Sequence, residues 1–242
     1  MSSLRVRQIL ADVMTDVMAG EGGGLPERLC LACAVAVPVS GVGLALMTAT
    51  GHGGTITATD GAAAVMEDLQ QALGEGPCVD ASRDGRPVLQ SDLAVTGTSR
   101  WPGFTAAALE AGIAAVFAFP LQVGAIRLGM LDLYRDTTGP LDRRQLAEAL
   151  AFAEAATTIL LHLQDKTTLG QPLHPRLAEA VESRREIHQA TGMITVQAAV
   201  GLAEALLLLQ ASAYSSERPL IDVAKDVVAR RLRFAPEDDH HE

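Results

Sequence analysis

The C-terminal stretch from Arg184 to Phe234 reads RREIHQATGMITVQ at residues 184–197, LAEALLLLQASAYSS at 202–216, LIDVAKDVV at 220–228 and RRLRF at 230–234. Apolar residues recur through its first part at spacings near three and four, the period of one helix face: Leu177, Val181, Ile187, Ala190, Ile194 and Ala198. The second part is an apolar run between Gly201 and two serines, and Pro219 suits the first turn of a third helix. Three short helices are therefore predicted, and they must bury a common core because none is stable alone.

This stretch resembles the ANTAR domain, a three-helix RNA-binding module of bacterial transcription antiterminators. The matching residues are Ala190-x-Gly192-Met193, Ala203-Glu204-Ala205-Leu206, Ala213 and Leu220-x-x-Val223-Ala224. The resemblance implies binding of structured RNA and prevention of transcription termination. Hairpin loops are the natural target of such a surface, because their bases are splayed out.

Ten residues are candidates for RNA contact: Arg184, Arg185, His188, Gln189, Thr191, Gly192, Met193, Gln197, Tyr214 and Arg218. Guanidinium groups bind phosphate and stack on bases, amides read base edges, and aromatic rings stack on unpaired bases. A solvated helix face with a partly buried tyrosine explains the same residue types without RNA. Gly192 costs about 1 kcal/mol in a helix relative to alanine, so we expect close approach there by another helix or by RNA.

Four further cations, Lys225, Arg230, Arg231 and Arg233, are expected near the end of the third helix. They suit the negative end of a helix dipole. They could equally hold phosphates, and the sequence favours neither interpretation.

The first 165 residues mix helical and strand patterns. Helices are predicted at Leu4 to Met18, Pro26 to about Val37, Ala62 to Leu73, the segment ending at Glu110, and Leu141 to Leu163. Strands are predicted at Val42 to Thr50, Thr55 to Thr59, Val88 to Gln90, Ala114 to Leu121 and Ile126 to Tyr134, with a turn at Gly51 to Gly54. Short links of hairpin type favour an α+β domain with a mostly antiparallel sheet.

Several motifs of this part are similar to those of GAF domains fused to ANTAR modules in actinobacterial regulators. They are Gly74-Glu75-Gly76-Pro77-Cys78, Asp92-Leu93, Arg100-Trp101-Pro102, Phe119-Pro120-Leu121 and Leu128-Gly129-x-Leu131-x-Leu133-Tyr134. The resemblance implies a pocket on one side of the sheet that takes a small ligand in many relatives. Candidates to line it are His52, Cys78, Arg100, Trp101 and Phe119. Each also has a structural explanation, as a turn, helix-entry or core residue.

The chain is therefore divided into a GAF-like sensor domain with flanking helices at 1–165, a linker at 166–175, an ANTAR-like domain at 176–234 and an acidic tail at 235–242. The linker follows from Gly170, Pro172 and Pro175, which break helices. The tail is expected to be disordered. The long helix Leu141 to Leu163 and the N-terminal helix could pack on a partner chain, so a homodimer is expected.

The formal net charge of −10 argues against simple electrostatic capture of nucleic acid. Its distribution is uneven, because residues 1–165 hold 10 Lys and Arg against 18 Asp and Glu, whereas residues 176–234 hold 8 against 7. The candidate RNA module is thus the least acidic part of the chain. It is not basic enough for tight nonspecific binding to phosphates.

Several classes of protein are disfavoured by the sequence. The apolar runs are shorter than the roughly 20 residues of a membrane span, and the N-terminus lacks the apolar core of a signal peptide, so a cytoplasmic location is expected. Cys30 and Cys33 have a redox-like or zinc-like spacing, with Cys78 as a third thiol, but they lie in an apolar helical run where cysteine is usually a core residue. No metal, cofactor or catalytic residue is predicted, because no phosphate loop, HExxH motif or nucleophile elbow occurs.

The sequence therefore predicts an RNA-binding antitermination regulator whose GAF-like domain senses a small ligand or partner. The alternative is a small-molecule sensor or dimerisation protein whose ANTAR-like helices form a protein interface. The weak positive charge and the Ala and Leu excess of residues 198–213 motivate that alternative.

Overall fold

The computed structural model of the chain describes residues 2–18, 23–48, 51–168 and 175–234. Its helices are α1 (Ser2–Met18), α2 (Leu25–Ala36), α3 (Gly61–Leu73), α4 (Pro77–Asp84), α5 (Thr98–Arg100), α6 (Pro102–Glu110), α7 (Arg143–Thr168), α8 (Pro175–Gln197), α9 (Leu202–Ser215) and α10 (Leu220–Val228). Its strands are β1 (Gly41–Thr48), β2 (Gly51–Ala58), β3 (Val88–Gln90), β4 (Ala115–Val123) and β5 (Ile126–Arg135). A π-helical turn, Leu93–Gly97, precedes α5.

The five strands form one antiparallel sheet in the order β2-β1-β5-β4-β3. The predicted α+β class with an antiparallel sheet is therefore confirmed. In this register Asp132 of β5 pairs with Gly43 of β1 on one side and with Ala118 of β4 on the other. Both cross-strand neighbours of this acid are thus small.

Helices cover both faces of the sheet, and alternation along β5 separates the two layers. Leu131 and Leu133 enter the core formed with α1, α2 and α7. Met130 and Tyr134 enter the core formed with α3, α4 and α6, so Asp132, which lies between the two leucines, faces that second layer as well. We call the core that is packed between the sheet and α3, α4 and α6, and that contains the side chains of Trp101 and Phe104, the inner chamber.

The structure differs from the sequence predictions at four places. Residues Gly51–Gly54, predicted as a turn, belong to β2. Helix α4 was not predicted, because it is short and polar and starts at a proline within the glycine-rich motif. Helix α7 continues to Thr168, three residues into the predicted linker. Helix α10 ends at Val228, so Arg230, Arg231 and Arg233 follow the helix instead of forming its last turn.

The three C-terminal helices share a core as predicted, with Ala190 and Ile194 of α8, Leu209 of α9 and Val223 of α10 all buried. Each helix ends in the same way. Ala199, Glu217 and Arg230 have φ of 56°, 51° and 61°, and the following N–H donates to the carbonyl five residues earlier. This is the Schellman ending, in which glycine usually occupies the left-handed position.

The C-terminal helices also pack on the N-terminal part. Helix α8 lies against the edge strand β2, and α9 and α10 lie against α3. Ala72 of α3 is buried in the core of the C-terminal helices, and Gln210 Nε2 of α9 donates to the carbonyl of Gln71 at 3.3 Å. Helix α3 is therefore buried on two sides.

Helix α7 contains the segment Arg143–Leu163, which within the described residues has the length and hydropathy of a membrane span. Half of the most apolar part of this segment is buried inside the protein. Ala149, Phe152 and Leu160 belong to the core that α7 forms with α1, α2 and the sheet. Its apolar character is therefore that of a core helix and does not indicate a membrane protein.

Candidate nucleic-acid interface and the buried polar site

One face of α8 is exposed to solvent and carries several of the predicted RNA-contacting residues. Arg185, His188, Gln189 and Gly192 are all exposed, and their spacing of three and four places them in one row along the helix. Val196, whose side chain is 83% exposed, continues the row. We call these five residues the α8 face. The side chain of Arg184 lies outside the described residues.

Three of the predicted RNA-contacting residues have structural roles in α8. Thr191 is buried, and its hydroxyl donates to the carbonyl of Ile187 at 2.7 Å. Met193 is partly buried against the core of the C-terminal helices. Gln197 Oε1 accepts a hydrogen bond of 3.0 Å from the N–H of Phe234 and so fixes the segment that follows α10. Their side chains hold this domain together.

Tyr214 and Arg218 lie at the end of α9 and in the loop behind it. The tyrosine side chain is 46% exposed, which leaves its ring available for stacking. Arg218 instead donates to Asp226 Oδ2 at 2.7 Å, and Arg231 binds the other oxygen of the same carboxylate. These two hydrogen bonds hold the pKa of Asp226 below its ordinary value, so both arginines are engaged with α10.

The surroundings of Gly192 bear on the expectation that another helix or RNA approaches this residue closely. A Cβ atom built on this glycine meets nothing within 4 Å among the described residues. Close approach by another helix of the same chain is therefore wrong as an explanation. The open surface leaves room for a partner molecule on the α8 face.

The residues predicted to line the ligand pocket do not come together in one place. Cys78 and Trp101 are buried in the inner chamber, whereas Phe119 points into the core on the opposite side of the sheet. Arg100 stacks on the Trp101 ring at 4.6 Å, and both side chains donate to Asp80 Oδ2, at 2.9 and 3.1 Å. The side chain of His52 lies outside the described residues. Phe119 is thus separated from the other described members of the set.

The inner chamber instead contains polar residues that the sequence interpretation missed. Seven polar or charged side chains are buried among the described residues, and six of them belong to helices and strands around this chamber: Glu67 and Gln70 (α3), Ser82 (α4), Gln90 (β3), Thr105 (α6) and Asp132 (β5). Buried polar groups in native proteins usually have partners. Here Gln70 Nε2 and Thr105 Oγ1 have none, which marks the chamber as the candidate ligand site.

Glu67 is seated directly on the sheet beside Asp132. A Cβ on Gly43, the cross-strand neighbour of Asp132, would lie 2.2 Å from Glu67 Oε1. The missing side chain at Gly43 is what allows the carboxyl group to reach the strand. Burial raises the pKa of Glu67 to about 8, the hydrogen bond to Asp132 lowers it and the charge of Asp68 raises it. Glu67 and Asp132 are thus two carboxyl groups that are buried on the same side of the sheet and influence each other's protonation.

Three cysteines lie in the cores. Burial raises the pKa of Cys30, Cys33 and Cys78 above the ordinary thiol value, and all three are free thiols. No group of three His, Cys, Asp or Glu within the described ranges could hold a metal ion. The short spacing of Cys30 and Cys33 is that of two neighbouring core residues on α2.

Comparison with known protein families matches residues 176–228 to the ANTAR domain. No curated protein matches the chain. Among solved structures, one similar chain is a domain of a protein described as a two-component sensor histidine kinase from Sinorhizobium meliloti 1021. It is 19% identical with a TM-score of 0.50, and the match covers 61% of this chain and 96% of that one.

Two GAF domains are also similar to this chain. The GAF domain of a phosphoenolpyruvate-protein phosphotransferase from Coxiella burnetii is 13% identical, with a TM-score of 0.46 and coverage of 69% and 99%. The GAF domain region of a Geobacter sulfurreducens PCA protein is 15% identical, with a TM-score of 0.45 and coverage of 61% and 97%. These likenesses concern the fold. The family comparison thus identifies an ANTAR domain at residues 176–228, and the part of the chain before it resembles the Sinorhizobium meliloti domain in fold.

Proposed function

We propose that this protein is an RNA-binding regulator of transcription antitermination, with the α8 face as its contact surface. The observation that carries the proposal is the row of exposed Arg185, His188, Gln189 and Gly192 within the ANTAR match. These side chains offer a cation, an imidazole and an amide to one ligand, and the glycine lets a backbone approach. Unpaired bases in an RNA hairpin loop present the matching acceptors and stacking surfaces.

The near-neutral charge of the ANTAR domain affects how it is expected to bind RNA. Residues 176–234 carry 8 Lys and Arg against 7 Asp and Glu, and Arg218 and Arg231 are already paired with Asp226 and Lys225 with Glu186. Arg185 is paired with Glu182 on the same helix, but both side chains are exposed, so an RNA phosphate can compete for the guanidinium group. Few cations remain for phosphates, so affinity must come largely from base contacts. Binding is therefore expected to be selective for loop sequence and only weakly dependent on salt.

The test measures the affinity of the full-length chain for hairpin RNAs selected from a random loop library, with duplex DNA of equal length as the competitor. Arg185→Ala should weaken binding to the selected hairpin and lower the salt slope by up to about one unit. Gln189→Ala should weaken binding without changing the slope. Arg86→Ala is the matched control, because this exposed arginine lies in the N-terminal domain. Equal effects of Arg185→Ala and Arg86→Ala would refute the assignment of the α8 face.

A second candidate function rests on the apolar side chains of the C-terminal domain. Val196 of α8 is 83% exposed and Leu207 of α9 is 62% exposed, so both apolar side chains are available to a protein partner. In this alternative the ANTAR helices bind protein. Failure of the library to yield any bound RNA, together with self-association that Leu207→Asp abolishes, would favour it.

We further propose that the N-terminal domain senses a small ligand in the inner chamber. We also propose that the protein acts in the cytoplasm and is not an enzyme. The unpartnered, buried Gln70 Nε2 and Thr105 Oγ1 support a ligand there. A ligand that binds only the folded state, and whose free concentration is 100 times its Kd, stabilises that state by about 2.7 kcal/mol. A library screen by thermal shift should therefore find compounds that raise the melting temperature of the wild type, and Gln70→Met should reduce that shift.

We also propose a homodimer through α1, α2 and α7. A cleft of about 340 Å³ between these helices is lined by Arg5, Asp12, Asp16, Arg28 and the exposed Leu31 and Val35, among others. Because the cleft carries both signs of charge and an apolar rim, a second copy could pair with it across a two-fold axis.

A further inference from the structure

The acidic segment after Phe234 starts beside the end of the α8 face. The N–H of Phe234 donates to Gln197 Oε1 at 3.0 Å, and Val196, the last member of the face, directly precedes that glutamine. The residues that follow, 235–242, lie outside the described residues. The hydrogen bond to Gln197 therefore fixes the starting point of this segment next to the proposed RNA-contacting surface.

The segment is long enough to cover the whole α8 face. From Gln197 back to Arg185 the helix rises by about 18 Å, at about 1.5 Å per residue. An extended chain spans about 3.3–3.6 Å per residue, so residues 235–242 reach at most about 26–29 Å. The segment can thus follow the helix from Val196 to Arg185, with length left for the passage around the helix.

Charge favours the C-terminal domain as the surface that this segment contacts. Residues 235–242 contain four acids, Glu237, Asp238, Asp239 and Glu242, and no lysine or arginine. Residues 1–165 carry 10 Lys and Arg against 18 Asp and Glu, whereas residues 176–234 carry 8 against 7. The N-terminal domain therefore repels the segment, and the C-terminal domain does not.

Three arginines of the C-terminal domain are available to acids from this segment. Arg230 and Arg233 are exposed and make no ion pair with a described residue. Arg185, at the far end of the α8 face, is paired with Glu182, but its side chain is 73% exposed. An exposed ion pair of this kind is weak, so a second carboxylate can compete for the guanidinium group. Cations thus lie both near the start of the segment and at the far end of its path.

We propose that residues 235–242 bind the α8 face of their own chain and compete with RNA for it. In this arrangement Ala235 and Pro236 cover Val196, and the acids that follow reach Arg185 in place of an RNA phosphate. An RNA must displace the segment before it can bind, so the segment lowers the affinity for every RNA that uses this face. The consequence for RNA rests on the proposed function, whereas the docking itself requires no RNA.

The docking is tested by a zero-length cross-link in the full chain. Carbodiimide joins an amine to a carboxyl group that contacts it, and Arg185→Lys places an amine at the far end of the α8 face. Trypsin releases the segment as one peptide that begins at Phe234, because no lysine or arginine follows Arg233. Mass spectrometry should find this peptide joined to position 185 at low salt. The link should disappear at about 1 M salt, where the Debye length is about 3 Å.

Controls show that the reagent acts and that the link is specific. Lys225 Nζ lies 4.0 Å from Glu186 Oε2, so these two residues should be linked in every variant. Arg86→Lys places the same amine at an exposed position of the N-terminal domain and should not be linked to the segment. An equal mixture of unlabelled and isotopically labelled chains shows whether both linked peptides come from one chain.

Three results of this experiment would overturn the docking. The first is a Lys225–Glu186 link without any link from position 185 to the segment. The second is equal linking of the segment to positions 185 and 86. The third is linking only between different chains.

The competition is tested with the selected hairpin RNA. Replacing the four acids together, by Glu237→Gln, Asp238→Asn, Asp239→Asn and Glu242→Gln, keeps the length of the segment. Binding should become about fivefold tighter at about 0.1 M salt, the effect of about two exposed ion pairs. The gain should fall to about twofold or less in an Arg185→Ala background, because docking has then lost a partner.

Two outcomes of the RNA measurement would overturn the competition. One is unchanged affinity after the four replacements. The other is an undiminished gain in the Arg185→Ala background, since a general effect of net charge does not depend on that arginine. The cross-link uses no RNA, so it decides the docking even where the proposed RNA-binding function fails.

Discussion

Replacing Glu67 by glutamine should remove a pH dependence from the stability of the N-terminal domain. The change keeps the shape of the side chain and its ability to hydrogen-bond Asp132, but it can no longer ionise. In the wild type, burial raises the pKa of Glu67 from 4.5 to about 8. The folded protein therefore binds a proton that the unfolded chain has lost throughout this range, and its stability falls as the pH rises.

The magnitude follows from the size of that difference. Each pKa unit between the folded and unfolded states is worth about 1.4 kcal/mol, so the wild type should lose about 5 kcal/mol relative to the variant between pH 4.5 and pH 8. At pH 5 the two proteins should have nearly equal free energies of unfolding. At pH 8 the Glu67→Gln variant should be the more stable by several kcal/mol, and above pH 8 the difference should stay constant.

Urea denaturation at half-unit steps from pH 5 to pH 9 measures this difference. The single tryptophan, Trp101, is buried in the inner chamber and reports on the relevant core by fluorescence. Glu110→Gln is the matched control, since this carboxylate is exposed on α6 and its removal should leave the pH profile unchanged. Parallel pH profiles for the wild type and Glu67→Gln would refute the argument that the pair retains a proton.

Three further outcomes are expected. Gly43→Ala should destabilise the fold by about 1–3 kcal/mol in thermal denaturation, because the new methyl group would overlap the Glu67 carboxyl at 2.2 Å; an unchanged melting temperature would contradict the close seating of Glu67. Ala199→Gly should stabilise the protein by about 1 kcal/mol in urea, because residue 199 is left-handed with φ of 56°, whereas Ala211→Gly in the exposed middle of α9 should cost about 1 kcal/mol. Light scattering at micromolar concentration should report a dimer, and Val35→Asp, at a position 88% exposed beside the α1–α2 cleft, should yield monomer; a monomeric wild type at every concentration would exclude this interface.

The elements of the C-terminal domain were predictable because each helix has a strong period and clear boundaries. Pro219 and Gly201 stand immediately before α10 and α9. The end of α10 was placed too far along the chain, since Leu232 continues the apolar period while the backbone turns left-handed at Arg230. A non-glycine residue in that conformation gives no local signal in the sequence.

The candidate sites were less predictable than the fold. Arg185, His188 and Gln189 were predicted from residue type to lie on the surface, and they are exposed. Residue type could not distinguish them from Thr191 and Gln197, which make structural hydrogen bonds because of their positions around the helix. A threonine in the middle of a helix and next to a glycine, as Thr191 is, would be predicted from its sequence to lie on the polar surface. Its hydroxyl can instead be satisfied by the carbonyl one turn earlier, which allows burial.

The sequence by itself determined the α+β class, the antiparallel hairpins and the three-helix module, because hydrophobic period and turn residues act over a few neighbours. Only the tertiary structure decided that Phe119 faces away from the inner chamber. Strand β4 is apolar on both faces, so its sequence does not show which residues point to which side of the sheet. Likewise, only the register of β5 with β1 brings Asp132 next to Gly43 and under Glu67. Acids so far apart in the chain meet through packing of α3 on the sheet, and burial then changes their affinity for protons, a property that no local pattern encodes.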